Sequence, residues 1–243
     1  MSKISGAIMT YEAFWTKIII SEKEKEQSKH FLKYRGVESH ENVREFLQSL
    51  TGEAATYTAI ATAFRYDKRI RRILYKYIGF LEETIRAYIA NKHSDNINSL
   101  KCIKKVLASL ADGKSLFDSL SGLTFGELKK QVNALPEEDK KQIFPCHKGT
   151  AKCLEKDLTA VVVLRNEVSH NRFLLDCKRL SKCSVGDKNN SLWANIINLK
   201  NLLPRYLHEN YKSEINDAKK QAENKYKEQV AWNLLPNIII SLT

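Results

Sequence analysis

The sequence has only 9 glycines and 4 prolines in 243 residues, which excludes collagen-like repeats and broadly disordered, proline-rich chains. Long apolar runs are missing as well: Ile18-Ile19-Ile20 and Ile238-Ile239-Ile240 fall far short of the roughly 20 residues that a spanning helix needs. Residues 1–17 carry Lys3, Glu12 and Lys17 and no secretory apolar segment. The five cysteines form an odd set without C-x-x-C spacing, so free thiols in a reducing compartment are expected. Cys146, His147 and Cys153 match no common zinc pattern, and neither metal nor cofactor is expected. Glycine-rich phosphate loops, G-x-S-x-G and H-E-x-x-H are also missing, which removes the main support for nucleotide-binding, serine-hydrolase and metalloprotease classes. A cytoplasmic protein without a membrane partner is the expectation.

What is present is positive charge. Forty Lys and Arg against 28 Asp and Glu give a formal net charge of +12, which attracts polyanions. Hydrophobic residues at 43 % suffice for a buried core, and their spacing is that of helices joined by short loops. The fold class expected is all-α, in one domain over 1–243 without internal repeats.

Helices are expected over 11–31, with Glu22-Lys23-Glu24-Lys25-Glu26 as a solvated face, and over 40–50, ending near Gly52. The clearest period runs over 68–91. Ile70, Ile73, Leu74, Tyr77, Ile78, Leu81, Ile85, Tyr88 and Ile89 form one apolar stripe, with Asp67 as the expected N-cap. Further helices are expected over 99–110, then over 124–132 with a capping box between Thr124 and Glu127. A loop-rich stretch around Pro136, Pro145 and Gly149 comes next, followed by a helix from Cys153 to about residue 171. A polar loop over 181–191, a helix over 192–211 broken at Pro204, a charged helix over 212–229 and an apolar tail over 234–242 complete the reading.

One constellation carries chemistry: Arg165-Asn166-Glu167-Val168-Ser169-His170. On a helix Asn166 and His170, four apart, share a face that the long arm of Arg165 can reach. Imidazole moves protons near neutral pH, and guanidinium binds a phosphate and stabilises charge building on its oxygens. RNA supplies its own nucleophile, the 2′-OH; in-line attack leaves a 2′,3′-cyclic phosphate and a 5′-OH without a metal. Arg35 and His40 repeat the spacing, but Gly36 places them at a turn. Lys68, Arg69, Arg71, Arg72, Lys76 and Arg172 are candidate RNA-backbone contacts. Glu82 and Arg86, four apart, either pair with each other or support Arg165.

Leu164-Arg165-Asn166-Glu167-Val168-Ser169-His170-Asn171-Arg172 resembles the R-N-x-x-x-H signature of HEPN-type ribonucleases. Tyr66-Asp67-Lys68-Arg69-Ile70-Arg71-Arg72 with Ile78, Leu81-Glu82 and Ile85-Arg86 is similar to the opening signature of the Abi-like abortive-infection proteins of the AbiD/AbiF type. Leu123-Thr124-Phe125-Gly126-Glu127-Leu128 resembles the middle segment of that branch. The resemblance covers roughly 64–175, leaving N-terminal helices over 1–63 and C-terminal helices over 176–243. It implies a HEPN-like helical bundle with additional flanking helices, and a homodimer that joins two motif helices in one cleft. It also implies metal-independent RNA cleavage in phage defence, with Arg165 and His170 catalytic and Asn166 on the phosphate. A structured small RNA or an antitoxin is an implied partner.

Two other readings stay open on the sequence. One is a non-catalytic RNA-binding module of the same fold that holds a partner RNA. The other is a helical scaffold that pairs with another protein through the apolar tail.

Overall fold

The computed structural model describes residues 9–184, 191–223 and 229–241. The protein is all-α: the described residues contain thirteen α-helices and no strand, only an isolated bridge between Ile19 and Thr56. In order they are α1 (Tyr11–Trp15), α2 (Glu22–Arg35), α3 (Val37–Thr51), α4 (Tyr57–His93), α5 (Lys104–Ala111), α6 (Leu116–Ser121) and α7 (Phe125–Ala134). Then follow α8 (Glu137–Ile143), α9 (Ala151–Ser169), α10 (Leu192–Leu202), α11 (His208–Asn216), α12 (Ala218–Ala222) and α13 (Gln229–Leu234). The chain divides into two compact units. The first holds residues up to Ile70, Arg172–Asp176 and Ala218–Asn237; the second holds Arg71–Asn171, Cys177–Asp217 and the residues from Ile238 on.

In the first unit α1, α2 and α3 pack together over Phe14, Leu32, Val43 and Leu47, joined by Ile60 and Ala63 from the start of α4. Local chemistry sets the helix limits. Ser21 caps α2 and shares a reciprocal capping box with Glu24, while Gly36, at φ 81°, ends it in a conformation that a Cβ disfavours. Glu22 and Glu24 in the first turn and Lys33 and Arg35 in the last complement the helix dipole. The expected single helix over 11–31 is in fact two. Between them Ile19 leaves the helical path, accepting from Tyr57 N–H and donating to the Ala55 carbonyl, and its side chain is exposed.

Asp67 is not an N-cap. The helix begins ten residues earlier, at Tyr57, and Asp67 lies inside it, fully buried, accepting the Leu174 N–H at 2.6 Å. A run of Ala, Ile and Phe over 57–64 continues the apolar stripe upstream, so the helix has no reason to start at 68.

In the second unit α9 packs on α7 and α10, and α5 on α6. Leu74, Leu81, Ile85, Leu128, Val132, Leu158, Val161, Leu164, Ile196 and Leu199 form its core. Each such side chain contributes about 1.5–3 kcal/mol by leaving water. The capping box of Thr124 with Glu127 closes α7 at its start, and the Lys105 ammonium beside Glu127, with the Thr124 bonds, lowers that carboxyl to about 2.

Several expected boundaries shift. The helix expected over 99–110 begins at Lys104, after a 3-10 segment over Ser94–Ser99. The stretch expected to be loop-rich contains α8, whose acidic first turn lies just after Pro136. Gly149 there meets a tight approach: a Cβ would lie 2.7 Å from Cys153 Cβ and 2.8 Å from His147 Cε1. Pro204 does break the helix expected over 192–211. Part of the expected polar loop (185–190), part of the expected charged helix (224–228) and the end of the tail lie outside the described residues.

The tail is not a free docking segment. Ile238 and Ile240 are buried, Ile240 N–H donates to Asn216 Oδ1 at 2.8 Å, and Lys200 Nζ donates to the Ser241 carbonyl at 2.9 Å. Within the second unit its last residues close over α10 and α11, while Ile239 stays exposed. No helix among the described residues is long and apolar enough to cross a membrane.

Candidate active site

The site is the C-terminal end of α9. Thr150 starts this helix by accepting the Cys153 N–H, and His170 ends it as the cap, its N–H donating to the Asn166 carbonyl at 2.9 Å. Asn171 then takes a left-handed φ of 54°, a conformation that asparagine tolerates better than most residues. The interior of the motif faces the protein: Glu167 and Val168 are buried, and Glu167 accepts the Cys177 thiol at 3.5 Å. Asn166 and His170 are exposed on one side, and Arg165, with 39 % of its side chain accessible, is half-exposed. The imidazole of His170 makes no hydrogen bond among the described residues.

Glu82 on α4 lies between two guanidiniums. Its Oε2 receives Arg86 Nη2 at 3.0 Å, and its Oε1 stands 3.7 Å from Arg165 Nε. Arg86 is anchored further by the carbonyls of Leu120 (3.2 Å), in the last turn of α6, and Leu123 (3.1 Å), in the connection to α7. Glu82 therefore both pairs with Arg86 and approaches Arg165; the two alternatives read from spacing coexist. The Arg165 contact, 3.7 Å long and made by a half-exposed side chain, is worth little as an ion pair.

The candidate backbone contacts are divided. Arg71, Arg72 and Lys76 belong to the unit of the motif, whereas Lys68, Arg69 and Arg172 belong to the other. Arg71 donates to Asn171 Oδ1 at 2.8 Å and so stands beside His170. Arg72 is exposed. Lys76 pairs with Glu214, which also accepts the Tyr77 hydroxyl at 3.0 Å, and Arg69 donates to Gln221. Lys76 and Arg69 thus enter any RNA contact only by giving up a protein partner. The bond from Arg71 to Asn171 went unforeseen; the signal available for half of it was an Asn at a helix end.

The side chain of His147, beside the cysteines, is 7 % accessible and bonded to Asp157 Oδ2 at 2.9 Å, fastening the loop before α9 to the helix. Among the described residues no three His, Cys, Asp or Glu side chains are grouped to hold a metal ion.

No family model matches the chain, and neither a curated protein nor a solved structure matches it.

Proposed function

We propose that the protein is a metal-independent endoribonuclease of the HEPN type acting in phage defence. The observation that carries this reading is the unengaged His170 imidazole beside Asn166 at an exposed helix end, with Arg165 half-exposed on the same last turns. A base takes the proton of a ribose 2′-OH, O2′ attacks the adjacent phosphorus, and the departing O5′ takes a proton from an acid. Arg165 and Asn166 hold the non-bridging oxygens as their charge grows. One copy offers one such imidazole, so the reading includes a homodimer in which two His170 side chains divide the base and acid roles.

The test is incubation of wild-type and His170→Ala protein with mixed RNA in excess EDTA, followed by analysis of the product ends. Cleavage by the wild type alone, leaving 2′,3′-cyclic phosphate and 5′-OH ends, is expected. Equal cutting by His170→Ala, or full activity from a demonstrated monomer, overturns the mechanism. The second reading, an RNA-holding module that does not cut, draws on the net charge of +12; it predicts retained RNA, no products and little effect of His170→Ala on binding.

A further inference from the structure

The last two turns of α2 present an unusual surface within the first unit. Phe31 and Tyr34 are 44 % and 70 % exposed, and His30 touches both, at ring-centroid distances of 5.5 Å and 4.8 Å. Three rings therefore form one continuous exposed run. Cations flank it: Lys33 Nζ lies 5.7 Å from the Tyr34 ring, and the Arg35 guanidinium lies 5.4 Å from Phe31 and 5.8 Å from Phe64. Neither Lys33 nor Arg35 forms an ion pair among the described residues, whereas Lys29, one turn earlier, is paired with Glu26.

Singly exposed aromatics need no explanation, but contiguous rings edged by unpaired cations do. Rings that stack bases, with cations tracking the phosphates, are how proteins hold single-stranded nucleic acid. An anionic membrane fits less well. The first half of α2 carries Glu22, Glu24 and Glu26, and the helix has no continuous apolar face to enter a bilayer.

We infer that the C-terminal end of α2 is a second RNA contact, which stacks unpaired bases on Phe31, His30 and Tyr34 and holds their phosphates with Lys33 and Arg35. The choice of RNA over DNA rests on the ribonuclease reading; the stacking does not. The surface selects single strands because paired bases cannot offer their faces to it.

The experiment uses full-length His170→Ala protein, labelled U12 RNA, the matching dT12, a 12-base-pair RNA duplex and phosphatidylglycerol-containing vesicles, read by fluorescence anisotropy or co-sedimentation. Tyr34→Ala and Phe31→Ala should each raise the Kd for U12 about tenfold, and Tyr34→Phe should bind like the parent because a ring remains. Lys33→Gln should lower the log–log salt slope by about 0.7. Circular dichroism unchanged from the parent is expected, since both rings are exposed. Unchanged binding by both alanine variants, equal binding of the duplex, stronger binding of dT12, or vesicle binding without RNA binding overturns the inference. Cleavage by wild type with no effect of Tyr34→Ala sinks this surface and leaves the ribonuclease. Tenfold weakening with no cleavage by wild type sinks the ribonuclease and leaves a stacking surface for single strands.

Discussion

Arg71 donates from Nη1 to the side-chain oxygen of Asn171 at 2.8 Å, joining α4 to the residue that follows His170. The bond spans 100 positions of sequence and fixes the one non-glycine residue with positive φ among the described residues. It ties the path of the chain leaving α9, and so the setting of the His170 cap, to α4.

Asn171→Gly should therefore keep the backbone and lose the bond, whereas Asn171→Ala loses the bond and adds the left-handed penalty of about 1 kcal/mol. Urea denaturation should place the alanine variant below the glycine variant by about that amount. On the ribonuclease proposal, RNA cleavage should fall in both, because His170 loses its support. Equal stability of the two variants would show that φ is not maintained there.

Glu82→Ala should destabilise the protein by about 1–3 kcal/mol. It leaves a largely buried Arg86 guanidinium without its carboxylate, though still bonded to two carbonyls. Arg165→Ala breaks only a long contact of a half-exposed group and should leave the apparent Tm nearly unchanged while abolishing cleavage. Thermal unfolding and cleavage assays on the two variants separate a supporting role for Glu82 from the catalytic role proposed for Arg165.

His40 gives the stability a slope on the acid side of neutrality. It is 2 % exposed among Phe14, Tyr57 and Phe64. Burial pushes the imidazole below its ordinary value of 6.5, against the opposing effect of its Nδ1 donating to the Gly36 carbonyl. The unfolded chain then takes up the proton first as the pH falls. The stability His40 provides is whole above about pH 6.5 and is lost progressively below it, down through the lowered folded value. Asp139, buried yet held below the usual carboxylate range by hydrogen bonds from Lys92 and His93, is ionised already at pH 5.5 and adds no slope between 7.5 and 5.5. Urea midpoints at pH 7.5 and 5.5 should fall more for the wild type than for His40→Gln; identical drops would assign the slope elsewhere.

Period and capping chemistry made much of the fold legible in the sequence. The stripe from Ile70 to Ile89 is buried except at Tyr88, and Gly36, Gly52, Thr124 with Glu127, and Pro204 mark helix limits where their chemistry predicts them, because these effects act within one or two turns. The motif at α9 was legible as spacing for the same reason: residues four apart on a helix share a face. Only the tertiary structure decided what depends on partners far along the chain. It placed Asp67 inside a helix to receive Leu174 and divided the line from Ile18 to Ile20 with a backbone bridge to Thr56. It buried the tail through Asn216 and Lys200, and it set Glu82 between Arg86 and Arg165. A carboxylate or an amide shows in sequence that it needs a partner, and the folded chain alone determines which one it meets.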